Sequence, residues 1–188
     1  MKPFTALSFA ACGMLTTSRA AELQPWQLTA LRTYSPPYSP NVSLHAGLAF
    51  TISDPNTINA GPARRGVAIF VPSSANCTAQ WSYGESPFAQ PQVCSEVPYG
   101  NWTFEIFPSN PRFGTWPLQV FGLRITRVYN VTVIANVYTK VYRGEERFEV
   151  GGALGGICGA SGICSFQLKN ESSPVLIQQT RVECQGEC

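Results

Sequence analysis

Residues 130–143, NVTVIANVYTKVYR, decide how the chain is read. Val131, Val133, Ala135, Val137 and Val141 fall on one parity, and Thr132, Asn136, Tyr138 and Lys140 on the other. A period of two marks a β-strand with one face in a core and one in water. Most of these residues are β-branched or aromatic, which suits a pleated, half-buried surface. Read as one strand, Asn130 to Arg143 is far longer than the usual five or six residues, and a strand that long coils or bends at the wall of a barrel or sandwich.

Working outward, Arg143-Gly144-Glu145 is expected to turn the chain back into Phe148 and Val150. On the other side the apolar parity shifts between Leu118 and Val120 and the pair Leu123 and Ile125, which a β-bulge near Phe121-Gly122 explains. Trp102, Phe104 and Ile106 share a face opposite Thr103 and Glu105; Cys77, Ala79, Trp81 and Tyr83 share another. Val67 to Val71 is a short apolar run. Leu44, Ala46, Leu48, Phe50 and Ile52 alternate cleanly, which puts His45 on the polar face, and Asp54-Pro55-Asn56 ends that strand in a turn. The first strand runs from Trp26 to Tyr34, with Trp26, Leu28 and Ala30 on one face, and Pro36, Pro37 and Pro40 break it. Phe166 with Leu168, and Pro174 to Cys184, are the last strands. No segment has sustained helical periodicity, and there is no repeat or linker. Short strands with Gly and Pro punctuation predict an all-β, single-domain antiparallel β-barrel or sandwich with disulfides.

Residues 1–20 lie outside that domain. Lys2, the apolar run Phe4 to Leu15 and the small residues Ser18 and Ala20 form a secretory signal peptide, with cleavage expected between Ala20 and Ala21. The run is too short to span a bilayer, so residues 21–188 are read as one secreted β domain with no membrane segment. Lys2 and Arg19 leave with the signal, so the chain's 13 basic residues fall to 11 against 11 acidic ones. A net charge near zero gives no reason to expect nucleic acid, and Arg64-Arg65 is the only basic doublet.

Cys12 also leaves, and six cysteines remain: Cys77, Cys94, Cys158, Cys164, Cys184 and Cys188. An even number in an exported chain implies disulfides. No Cys-x-x-Cys is present and His45 is the only histidine, so neither a metal nor a cofactor is expected. Six cysteines allow 15 pairings. The reading favours Cys77–Cys94 and Cys158–Cys164, the latter closing a hairpin around GASGI, with Cys184–Cys188 left over. Five sequons, at Asn41, Asn76, Asn101, Asn130 and Asn170, are glycosylation candidates that demand surface positions. In the second, Cys77 is the middle residue, so disulfide formation competes with the glycan.

The run Cys77-Thr78-Ala79-Gln80-Trp81, the second cysteine at Cys94 and Asn101-Trp102-Thr103-Phe104-Glu105-Ile106 together resemble the Alternaria major-allergen-like family of fungal secreted proteins. Trp26-Gln27-Leu28 matches that family's opening Trp strand, and Cys158 and Cys164 its late cysteine pair near glycines. The resemblance covers roughly Trp26 to Cys184. It implies a compact β-barrel-like fold and a role at a host interface as allergen, elicitor or effector, with dimerisation, flavonoid-type ligands and binding of plant defence proteins as family associations. The chain departs from the pattern in having no cysteine of the mature domain before Cys77, which leaves non-covalent homodimerisation rather than a covalent dimer. The pair Cys184 and Cys188 also lies outside the pattern.

Catalytic constellations are thin. A Ser–His–Asp set would need His45 and Asp54, the only histidine and only aspartate. Paired-carboxylate glycoside hydrolysis would need Glu105 and Glu149 to meet on a sheet face, while Glu145 and Glu146 read as solvated charges at a turn. No catalytic residue is therefore assigned. Loop aromatics are more suggestive: Tyr38, Phe88, Tyr99, Phe113 and Trp116 suit recognition on a rigid β scaffold or caps on the core. The candidate contact loop is Phe113 to Trp116. The expectation is a secreted, effector-like binding protein for a host extracellular protein or cell-wall polysaccharide, acting without catalysis. The alternative is a barrel that carries a small hydrophobic or flavonoid-type ligand. The least favoured is a carboxylate-dependent hydrolase.

Overall fold

A computed structural model describes residues 23–37, 44–82, 84–109, 118–133, 135–186 and 188. The signal segment, Tyr38, Asn41 and the Phe113–Trp116 loop lie outside the described residues. Thirteen strands follow in chain order: β1 (Trp26–Ser35), β2 (His45–Asp54), β3 (Ile58–Pro62), β4 (Val67–Phe70), β5 (Ser73–Ser82), β6 (Gln92–Val93), β7 (Gly100–Phe107), β8 (Val120–Val133), β9 (Asn136–Glu149), β10 (Leu154–Cys158), β11 (Cys164–Leu168), β12 (Val175–Ile177) and β13 (Gln179–Gln185). Only a short 3-10 turn at Asn170–Ser172 is helical among the described residues. The first sheet is ordered β10-β11-β1-β2-β5, with β12 also on β1; the second is β13-β9-β8-β7-β6; β3 and β4 form a separate hairpin. All of these pairings are antiparallel.

The two sheets pack as a sandwich; among the described residues they do not close into a barrel. Inward residues of both sheets interdigitate. Trp26 of β1 meets Trp102 of β7 edge-on at 4.7 Å, and Phe50 of β2 meets Phe104 of β7 at 5.0 Å. Both tryptophans are fully buried, and each ring removed from water contributes about 1.5–3 kcal/mol. Three disulfides brace the frame: Cys77–Cys94, Cys158–Cys164 and Cys184–Cys188. The first ties β5 of one sheet to the residue following β6 of the other. Such bridges belong to a chain folding in an oxidising, extracytoplasmic compartment.

The organising stretch is not one strand but a hairpin. Val133 pairs with Asn136, so the chain reverses between them, with Ala135 at a left-handed φ of 64°. Because paired residues then sum to an odd number, the inward parity switches across the loop. Tyr138, Lys140 and Tyr142 are buried, while Val137 is 42 % exposed. The polar face expected of Tyr138 and Lys140 is therefore the inner one. Arg143-Gly144-Glu145 is no turn; it lies within β9, paired with Thr126, Ile125 and Arg124. β8 carries no bulge at Phe121-Gly122, since its register with both neighbours is continuous, and Leu118 precedes the strand. The bulge is in β1: Thr29 pairs with Thr51 but Arg32 with Ala49, and Ala30 sits at φ 53°. Ala30 is consequently exposed, Leu31, Thr33 and Ser35 turn inward, and Arg32 and Tyr34 turn outward.

Candidate functional site

The outer face of the first sheet carries the most developed surface site. Across it, Gln167 of β11, Arg32 of β1, Ala49 of β2 and Thr78 of β5 form one cross-strand row. The next row is Ile157 of β10, Ser165, Tyr34, Gly47 and Gln80. On β2 Gly47 and Ala49 face outward, because Leu48 and Phe50 next to them face the core, and both are small. Larger neighbours on β1 and β5 therefore wall a shallow trough. Two contiguous hollows, of about 440 and 610 Å³, share Arg32, Ala49 and Thr78. His45 closes one end, with its Nδ1 3.3 Å from the Ser82 hydroxyl. Asn76 stands at the other, its Oδ1 accepting a 2.8 Å hydrogen bond from the Thr51 hydroxyl. Tyr34 is 47 % exposed and is the cross-strand partner of Gly47, which carries no side chain of its own. Arg32 and His45 are the ionisable lysine-, arginine- or histidine-type groups among the lining residues; the other polar ones are neutral amides and hydroxyls.

A second polar cluster lies inside the sandwich. Asp54, 2 % exposed, accepts from Trp26 Nε1 at 3.0 Å, from the Tyr129 hydroxyl, and from the Asn56 backbone N–H and side-chain amide at 2.8 and 2.6 Å. The Arg127 guanidinium lies 4.2 Å from the Tyr129 ring and 5.5 Å from that of Trp102, and donates to the carbonyls of Val128 and Pro98, each at 3.0 Å. Burial, and next the Asp54 charge, push the Tyr129 phenol far above its ordinary value near 10. Burial also lowers the Arg127 pKa, with Tyr129 and Asp54 opposing. Phe70 of β4 stacks on Tyr129 at 4.9 Å and covers the cluster. Lys140 donates to the Asn59 carbonyl at 2.7 Å, which anchors β3 to β9. This is a structural hub: it ties both sheets and the β3–β4 hairpin together and has no opening to solvent at Tyr129 or Trp26, both 0 % exposed.

The residues singled out in the sequence are placed as follows. His45 is exposed on the polar face as read, whereas Asp54 is buried at the opposite end of the same ten-residue strand. The two are not brought together. Glu105 and Glu149 do not meet either: Arg124 pairs with Glu105 on one side and Glu145 on the other, and Glu149 pairs with Val120. The carboxylates that approach one another are Glu105 and Glu145, and Arg124 bridges them at 3.3 and 2.5 Å. Glu145 is thus an ion-paired strand residue rather than a free turn charge. Phe88 is half-buried against the core, and Tyr99 is 46 % exposed near Phe70. Asn76, Asn101, Asn130 and Asn170 are all exposed, as glycan acceptors must be. Among the described residues no cluster of His, Cys, Asp and Glu fits a metal ion, and no helix is long and apolar enough to cross a membrane.

The trough was missed because its walls depend on the β1 bulge. Its floor was legible: the outward positions of β2 read His45, Gly47, Ala49, Thr51, unusually small for an exposed face. The fold and this face define an antiparallel β-sandwich with a trough across one outer sheet. Comparison of the chain with protein-family models, curated proteins and solved structures finds no match.

Proposed function

We propose that the protein is a secreted, effector-like fungal binding protein that holds an extended cell-wall polysaccharide across the outer face of the first sheet, without catalysis. One observation carries the reading: the exposed Tyr34, paired across the strands with Gly47 and sharing the outer face with Arg32, Gln80, Gln167 and Thr78. A pyranose offers an apolar C–H face that stacks on an aromatic ring and hydroxyls that both donate and accept. Neutral amides and hydroxyls, with one guanidinium, match a chain of low charge better than an anionic polymer. The trough is open at the surface and crosses several strands, which suits a polymer. The alternative ligand class, a small hydrophobic or flavonoid-type molecule enclosed in a barrel, has less support, since Trp26, Trp102, Phe50, Phe104, Phe121 and Phe148 fill the space between the sheets.

The test is a pull-down of the exported protein on insoluble cell-wall polysaccharides, with plant apoplastic extract as the competing source. Tyr34→Ala combined with Arg32→Ala removes a stacking surface and a charged donor together worth about 2 kcal/mol, or about thirtyfold in affinity. Saturable binding weakened to that degree supports the reading. Unchanged binding by the double variant places recognition elsewhere and refutes it. Capture of an apoplastic protein instead, lost in the same variant, keeps the surface and overturns the ligand class.

A further inference from the structure

We propose that closure of the Cys77–Cys94 bridge decides whether Asn76 receives an N-linked glycan, and that the bridge-first product is the form whose trough is open. Asn76 is exposed and belongs to the sequon Asn76-Cys77-Thr78. Its own backbone is held on both sides by the residue after Cys94: Asn76 N–H donates to the Ser95 hydroxyl at 2.9 Å, and Ser95 N–H donates to the Asn76 carbonyl at 2.8 Å. The middle residue of the sequon is itself half of the bridge. Asn101, Asn130 and Asn170 differ, since their middle residues are Trp102, Val131 and Glu171.

Glycan transfer joins the Asn76 carboxamide nitrogen to the anomeric carbon of a lipid-pyrophosphate-linked oligosaccharide. The C–O bond to pyrophosphate breaks, the lipid pyrophosphate leaves with the electron pair, and the amide gives up one proton. The step needs the Asn side chain folded toward the following residues, as in an Asx-turn. Bridge formation instead passes two electrons and two protons from the Cys77 and Cys94 thiols to the disulfide of an oxidoreductase. It pins residues 76–78 in the extended form of β5. The bridge spans a sequence separation of 17, and so local a loop closes before the long-range pairing of the sheets is complete. The two covalent events therefore compete for one short segment. The outcome matters because Asn76 lines the trough beside Thr78 and Ala49, so a glycan there covers it. This last consequence rests on the proposed binding face; the competition does not.

The experiment is glycopeptide mass spectrometry of the full chain made in a eukaryotic secretory host, reading occupancy at each sequon in the secreted and intracellular pools. Cys94→Ser keeps the sequon and removes the bridge, and Cys158→Ser removes a different bridge. Transfer precedes completed folding, so the intracellular pool reports even when a variant is retained. The expected result is a severalfold rise at Asn76 in Cys94→Ser, no rise in Cys158→Ser, and unchanged occupancy at Asn101, Asn130 and Asn170. A brief pulse of dithiothreitol to cells making the unaltered chain is expected to raise Asn76 selectively as well. Unchanged Asn76 occupancy in Cys94→Ser, or an equal rise at every sequon or in both variants, overturns the proposal. No polysaccharide enters the measurement, so its failure and that of the binding reading are separate results.

Discussion

Replacing Asp54 with alanine should unfold much of this protein's stability margin. Trp26 Nε1 and the Tyr129 hydroxyl both donate to its carboxylate, and both residues are 0 % exposed. Each buried donor left unpaired costs about 1–3 kcal/mol. Arg127, 1 % exposed, also loses the Asp54 charge that favours its protonated form. The two donors together give about 4 kcal/mol, against a usual domain stability of about 5–15 kcal/mol. Asp54→Asn keeps shape and one acceptor oxygen but aims an amide at groups that already donate, and should cost about half as much. Tyr129→Phe keeps the ring under Phe70 and should cost about 1 kcal/mol. Urea unfolding followed by tryptophan fluorescence measures all three, with an unchanged m-value as the sign that the unfolded state is not the cause. A double-mutant cycle between Asp54→Ala and Tyr129→Phe should give a coupling of about 1 kcal/mol or more. If Asp54→Ala costs under about 1 kcal/mol, as a surface change does, the hub is not what joins the sheets.

Other consequences can be checked alongside. Tyr129 and Tyr142 have pKa values raised mainly by burial, so the folded state holds their protons more tightly than the unfolded one. That contribution is complete at neutral pH and is lost as pH climbs past the ordinary tyrosine value near 10; absorbance titration at 295 nm should show both phenols ionising above the range of ordinary tyrosines. Gly61→Ala places a methyl carbon 2.4 Å from Tyr138 Cε1, and Gly186→Ala one 2.5 Å from Tyr138 Cδ1, both at positive φ. Thermal denaturation should show each costing about 1–3 kcal/mol more than Gly66→Ala, which shares the positive φ but meets nothing within 4 Å. Cys94→Ser should lower stability by about 3 kcal/mol in urea titrations, the value for a loop of about 15 residues. Arg124→Ala, by contrast, breaks two half-exposed ion pairs and should cost no more than about 1 kcal/mol, less still at high salt.

Much of the sandwich was legible because its strands alternate without interruption. Ala46, Leu48, Phe50 and Ile52, and Trp102, Phe104 and Ile106, are buried as their spacing implies. Period two carries face information only while the strand continues, and the two errors of face sit where it does not. One extra residue at Ala30 reversed the later half of β1, so Arg32 and Tyr34, the walls of the trough, were not assigned to the surface. The reversal between Val133 and Asn136 switched the parity of β9. The second error was hard to avoid, since Ile134-Ala135 lacks the Asn-Gly or Asp-Gly pair that announces a primed turn. The valines at 131, 133, 137 and 141 keep one parity through the loop by accident of composition, and a single long strand was the natural reading.

The same switch explains why the hub was invisible. Lys140 and Tyr142 look like the wet face of a strand, Arg127 is a charge on the same parity as the apolar Leu123 and Ile125, and Asp54 looks like the first residue of a turn. Lys140 and Tyr142 are interior because β9 turns its even residues inward, Arg127 and Tyr129 lie on the odd, core-facing parity of β8, and the β3–β4 hairpin, with Phe70, closes over them. β3 itself, INAGP, has too few apolar residues and too much Gly and Pro to announce a strand. Polar residues at inward positions are therefore not a lapse of the pattern in this chain. They are where a strand-level rule gives way to a three-way contact between two sheets and a hairpin, which no single period can encode. The trough obeys the converse logic: Gly47 and Ala49 leave an outward face bare where the alternation asks only for polarity. An unusually small residue on an exposed strand face, like an unusually polar one on a buried face, is thus the signal to carry into reading a chain of this kind.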